Sequence, residues 1–195
     1  MLLRRCGTDA LLVEVDSLTE VAAVRAALQD LDGIEELVPA ARTVLVKGDL
    51  HRVRDTLKTV DLTKAPTTHP REITIPVTYD GPDLDLVADT AGITGDEVVK
   101  LHTEATYEVA FCGFAPGFGY LTGLPDNLHQ PRLDSPRTKV PQGSVAIAGE
   151  FTAAYPRATP GGWRLIGRTE ITLFDPRAET PALLQPGDQV RFVVA

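Results

Sequence analysis

Three observations predict an α+β protein in two parts. Residues 1 to about 64 alternate short strand patterns with two helical ones. A stretch rich in Thr and Pro, Thr63 to Pro70, then interrupts them, as a linker would. From Thr106 onward no helical period recurs. Short apolar runs punctuated by Gly and Pro follow instead, the pattern of a sandwich or a closed barrel.

The elements of the first part follow in order. Ala10 to Val15 reads as a strand. Thr19 to Leu31 puts Val21, Val24, Ala27, Leu28 and Leu31 at helical spacing, with Ser17 or Thr19 as its cap. Ile34 to Pro39 and Thr43 to Val46 read as strands joined by Pro39-Ala40-Ala41-Arg42, and Leu50 to Val60 as a second helix. The order β-α-β-β-α is the split pattern of a small ferredoxin-like domain, placed at residues 1–66.

The second domain, residues 67–195, opens with Glu72 to Tyr79, where Ile73, Ile75 and Val77 share one face. Two helices are predicted next. Asp83 to Ala91 begins after Pro82, and Thr94 to Glu104 carries Thr94 as cap with Glu97 in capping-box position. Strands and turns fill the remainder.

Composition narrows the function classes. Hydrophobic residues make up 43% of the 195 and charged residues 24%, an ordinary globular balance. No apolar run approaches the roughly 18 residues of a membrane span. The N-terminal MLLRRCGTDALLVEV lacks a signal-peptide core. A cytoplasmic protein with no membrane partner is expected. The net charge of −8 argues against nonspecific nucleic-acid binding, which needs cations to neutralise phosphates. Cys6 and Cys112 make neither a metal pair nor a disulfide framework. Cys112, between Phe111 and Gly113, reads as an inert buried thiol or as a nucleophile.

Charge is unevenly distributed. Residues 131 to 168 hold Arg132, Arg137, Lys139, Arg157, Arg164 and Arg168 against Asp134 and Glu150. That local excess suits either a carboxylate or phosphate site or a set of salt bridges. Prolines on both sides of Arg137 and Lys139 stiffen the chain that carries them. Among the histidines, His51 opens a helix, His69 sits in the linker and His129 in a loop. His102, near a helix end, reads as a C-terminal cation or as a site residue at a barrel mouth. Their spacing predicts no metal site. Gly113 to Tyr120 is no phosphate loop, because it lacks the Lys-Ser/Thr ending and no helical pattern follows. Ser144 lacks a nucleophile-elbow motif. Trp163 reads as core.

The blocks FCGFAPGFGYLTGLP, PRLDSPRTKVPQGSVAIAG, YP and PGGWRLIGRT resemble those of one family, as do GTDALLVEV and VPAARTVLV nearer the N-terminus. That family contains allophanate hydrolase subunit 1, a 5-oxoprolinase subunit and a related sporulation kinase inhibitor. The resemblance covers nearly the whole chain. It implies a cyclophilin-like β-barrel after the N-terminal α+β domain. It also implies partnership with a larger carboxyltransferase-type subunit and a third subunit, acting on a small-molecule substrate. The complex would use ATP to open 5-oxoproline to glutamate, and this chain would be inactive alone. Inhibition of a sensor histidine kinase and an allophanate or urea-amidolyase role are the alternatives.

The matching polar positions are His102, Tyr120, Arg132, Arg137, Lys139, Ser144, Tyr155 and Arg168. Arg137 and Lys139 are expected to hold a carboxylate or acyl-phosphate and His102 to transfer or position a proton. Tyr120, Arg132, Ser144, Tyr155 and Arg168 are expected to bind substrate. Arg137→Ala is expected to impair turnover without unfolding the chain. One departure stands out: Glu150-Phe151-Thr152-Ala153 replaces the family's polar Gln-Thr-Gly run, so any contact of that Gln with a substrate amide is lost at Phe151.

Overall fold

The computed structural model describes residues 1–64 and 70–195, in two compact units, Met1–His69 and Pro70–Ala195. The expected boundary between residues 66 and 67, His69 and most of the linker lie outside the described residues.

The first unit runs β1 (Leu2–Cys6), β2 (Ala10–Glu14), α1 (Leu18–Leu28), β3 (Ile34–Pro39), β4 (Thr43–Gly48) and α2 (Leu50–Leu57). Its strands form an antiparallel sheet in the order β1-β2-β4-β3. Leu11 and Val13 on β2, and Val44 and Val46 on β4, turn alternate side chains toward Val21, Val24 and Leu28 of α1 and Val53 and Leu57 of α2. Ser17 Oγ caps α1 by accepting the Glu20 N–H at 3.2 Å, and Asp49 caps α2 by accepting from His51 and Arg52. β1 corrects the sequence reading. Its residues LLRRC are mostly exposed and show no period, yet β1 fills the edge beside β2. The helices end earlier than the apolar period does, because Leu31 and Val60 still pack on this core from the turns that follow.

The second unit contains β5 (Glu72–Val77), α3 (Leu84–Ala91), α4 (Gly95–Glu104), β6 (Tyr107–Cys112), β7 (Gly119–Thr122), β8 (Arg137–Val140), β9 (Ser144–Ala148), β10 (Phe151–Ala154), β11 (Thr159–Gly161), β12 (Arg164–Arg168) and β13 (Gln189–Val194). A single sheet of the described residues runs β12-β9-β10-β7-β6-β13-β5. It curls into an almost closed barrel. Just past β5, Thr78 meets Arg168 of β12, and the two exchange backbone hydrogen bonds of 2.9 Å each. Only glycine fits at 167 in this seam, since a Cβ there would stand 2.6 Å from the Thr78 carbonyl oxygen. β8 and β11 form a separate two-stranded ribbon.

β13 lies parallel to β5 and antiparallel to β6. Arg71 Nε donates to Asp188 Oδ1 at 2.9 Å where the parallel pair begins. The α4 start is the one the sequence predicts: Thr94 Oγ1 accepts the Glu97 N–H, and the Glu97 carboxylate accepts the Thr94 N–H. Replacing Thr94 with Ala should lower stability by about 1 kcal/mol, read as a lower urea midpoint at unchanged m-value. Among the described residues no helix is long and apolar enough to cross a membrane.

Candidate functional site

Two cavities of the second unit collect most of the predicted site residues. The larger is a groove of about 340 Å³ between the Asp80-Gly81-Pro82 loop, β8, the start of β9 and β12. Arg137 and Lys139 line it together because alternate residues of β8 face one side. Ser144 and Arg168 line it too.

The groove's cations are not equivalent. Arg137 Nη2 donates to Asp83 Oδ1 at 2.7 Å, while Asp83 Oδ2 accepts the Leu165 N–H at 2.7 Å. Arg137 Nη1 is buried without a hydrogen-bond partner among the described residues. Arg168 is paired twice, with Asp80 at 2.9 Å and Glu170 at 3.4 Å. Lys139 is exposed, and its ammonium has no partner among the described residues. Part of the predicted positive charge is therefore already balanced, and Lys139 is the cation left for an anion in the groove. Ser144 Oγ makes no hydrogen bond among the described residues, so nothing there activates it as a nucleophile.

The smaller cavity, about 60 Å³, is lined by Phe114, Phe118, Tyr120, Arg132, Tyr155, Trp163 and the Gly161-Gly162 backbone. Phe118 stands at its centre, with ring centroids 5.1 Å from Tyr120, 5.2 Å from Tyr155 and 5.6 Å from Trp163. Burial pushes the Tyr155 phenol up to about 12 and raises Tyr120, against the pull of the Arg132 guanidinium. Both phenols therefore keep their protons at neutral pH. The ribbon separates the cavities: Gly161 lines the aromatic one and pairs with Arg137, which lines the groove.

His102 joins neither cavity. It is fully buried at the end of α4, against Phe192 at 4.5 Å between ring centroids. Thr152 Oγ1 donates to the Ala146 carbonyl at 3.2 Å, so it accepts from His102 Nε2 at 3.0 Å. Nδ1 then accepts the Tyr79 hydroxyl at 2.7 Å. Burial holds the imidazole's pKa down at about 3, and the ring is neutral. Its helical spacing gave the signal, since His102 lies one turn after the buried Val98.

Phe151 lines neither cavity. It packs edge-on to Phe111 and Tyr120, with centroids 5.8 and 5.7 Å away. Cys112 is half-buried with Sγ 3.7 Å from the Leu184 carbonyl oxygen. The sequence reading missed Asp83, which orients Arg137, and the wall that Trp163 contributes to the aromatic cavity. Arg164, counted in the local positive excess, is a buried cation whose Nη1 donates to Gln130 and Thr90, the salt-bridge-like alternative rather than an open anion site. Asp83 stands 54 residues before Arg137, so no local spacing pairs the two. Among the described residues no three His, Cys, Asp or Glu side chains are grouped to hold a metal ion.

Residues 1–184 match the family described as the carboxyltransferase domain, subdomain C and D. The chain belongs to this carboxyltransferase-domain family. It is 44% identical to a 5-oxoprolinase subunit of Escherichia coli O157:H7 across 85% of this chain and 80% of that one. It is 36% identical to the corresponding 5-oxoprolinase subunit of Bacillus subtilis across 92% of this chain and 83% of that one. The crystal structure of TTHA0988 superposes with a TM-score of 0.83 at 34% identity over 96% of this chain, which spans 40% of that protein's length. The carboxyltransferase-domain chain thus carries the family and the mixed α and β barrel fold that its motifs imply.

Proposed function

We propose that the chain is a non-autonomous subunit of an ATP-dependent hydrolase complex that opens a cyclic amide, with 5-oxoproline as substrate. One observation carries this reading: the 44% identity over 85% of the chain to a protein named as a 5-oxoprolinase subunit. The complex would pair the chain with a larger carboxyltransferase-type subunit and a third subunit.

An amide resists water because its nitrogen feeds electron density into the carbonyl. Phosphorylating the amide oxygen removes that resistance and leaves an anionic group that cations stabilise. The groove's residues suit an anion such as a phosphoryl group. Lys139 supplies an unpaired ammonium, and Arg137, held by Asp83, a fixed guanidinium. Tight turns lead from Gly113 through Phe118 into β7, and among the described residues no glycine-rich loop opens a helix to cradle a triphosphate. A nucleotide site on a partner subunit fits this reading. Proton transfer is assigned outside His102, which solvent does not reach.

ATP-dependent formation of glutamate from 5-oxoproline by the co-purified complex tests the reading, with a control that omits only this chain. Turnover that vanishes in the control supports it, and no turnover from an intact complex overturns it. Lys139→Gln should lower kcat/KM by about tenfold or more while leaving the urea midpoint unchanged. Wild-type kinetics in that variant would remove the groove from the mechanism.

A further inference from the structure

We infer that the cavity between Phe114 and Trp163 holds the ring of a small carboxylated cyclic amide, with Arg132 taking its carboxylate. The inference rests on the proposed function for the identity of the ring. The pocket's chemistry supplies the rest.

The walls are aromatic faces and edges around Phe118, which suit a flat, compact group. The cavity of about 60 Å³ has room for roughly four water molecules, the scale of a five-membered ring rather than of a nucleotide. Its polar groups lack partners. The Tyr120 and Tyr155 hydroxyls and the Trp163 indole N–H make no hydrogen bond among the described residues. All three donate, and the raised phenol pKa values keep the two hydroxyl protons in place. A set of donors around an apolar pocket calls for carbonyl oxygen. Gly161 leaves space for it, since a Cβ there would stand 2.6 Å from the Tyr155 hydroxyl oxygen.

Arg132 supplies the charge. It is exposed, lines the pocket and makes no ion pair or hydrogen bond among the described residues. A guanidinium so placed matches a carboxylate on the outer edge of a bound ring. Phe114 adds an independent sign. Among the described residues it is the one non-glycine with positive φ, at 66°, and its side chain is 60% exposed. An aromatic side chain at a left-handed backbone position costs about 1–2 kcal/mol. Edge contacts with Phe118 and Tyr155, at 5.2 and 6.3 Å between ring centroids, offset part of that cost and leave most of the ring open. Turn hydrogen bonds from Ala115 to Gly113 and from Phe118 to Ala115 hold Phe114 at the lip of the pocket, where a bound ring would cover it.

Trp163 is the only tryptophan of the chain, so its fluorescence reports on this pocket. The full chain is titrated with 5-oxoproline, with 2-pyrrolidinone, which lacks the carboxylate, and with proline, which lacks the carbonyl. A saturable Trp163 change is expected with 5-oxoproline and binding at least about tenfold weaker with either analogue. Arg132→Gln should weaken 5-oxoproline by about tenfold and leave 2-pyrrolidinone unaffected. Tyr155→Phe, which keeps the ring and loses only the hydroxyl, should weaken both lactams.

A flat Trp163 signal with no calorimetric heat up to about 10 mM 5-oxoproline would overturn the inference. So would wild-type affinity in both variants. The two proposals fail separately. A complex that turns over 5-oxoproline with wild-type KM in both variants retains its proposed function and loses this pocket. A pocket that binds the ring in a complex that never cleaves it does the reverse.

Discussion

Replacing His102 with alanine should lower the unfolding free energy by about 3–5 kcal/mol, as a buried cavity opens and two hydroxyls lose their partner. Tyr79 would lose its acceptor and Thr152 a donor, inside the contact between α4 and β13. The same residue sets a pH dependence. Its folded pKa of about 3 lies below the unfolded value of about 6.5. Between those values the unfolded chain binds a proton that the folded one refuses. Stability is therefore full above about pH 6.5 and falls by up to about 1.4 kcal/mol per unit as pH drops toward 3. The groups facing the ring, Tyr79, Thr152, Tyr107 and Phe192, include no carboxylate that could hold an imidazolium. Urea titrations of wild type and His102→Gln between pH 5 and 6.5 check this. The variant should lose the slope, and parallel slopes would show that the ring is not neutral in the fold.

Arg137→Met should cost about 3 kcal/mol, because it leaves the buried Asp83 carboxylate without its cation. Arg137 is itself 28% exposed, so the low end of the range for broken buried pairs applies. Asp83→Asn should cost less, since Leu165 N–H still finds an oxygen at that position. The double variant should recover part of the sum, and a double-mutant cycle on urea midpoints measures the coupling. Strict additivity would show the pair to be energetically independent. This revises the expectation that Arg137→Ala spares the fold. Lost turnover at position 137 mixes stability with binding, whereas the exposed, unpaired Lys139 separates them.

Much of the architecture was legible wherever local rules decide structure. The Thr94–Glu97 box and the alternation of Ile73, Ile75 and Val77 both follow from spacing within a few residues. β1 was not legible, because an edge strand needs only backbone pairing and its side chains carry no period. Nor was the seam between Thr78 and Arg168, which depends on sheet curvature far from either residue. The candidate site divides in the same way. Tyr120, Arg132 and Tyr155 share one cavity and Arg137, Lys139, Ser144 and Arg168 the other, a partition set by the ribbon of β8 and β11. His102 sits one turn after Val98 on a buried helical face, a placement that its titratable side chain does not reveal by itself.

The parallel pairing of β5 with β13 bears on how the chain is made. Arg71 and its partner Asp188 are separated by 117 residues, and the strand that begins beside Asp188 belongs between β5 and β6. On a ribosome β5 is synthesised long before the neighbour that completes it. Until then it presents a free ladder of amides and an apolar face to whatever is near. The barrel must therefore close late and over a long loop, which slows folding and prolongs the exposure of an unpaired edge. Rapid heterologous synthesis would be most hazardous at this stage, and slower growth or a holdase chaperone would be the remedy for an insoluble product.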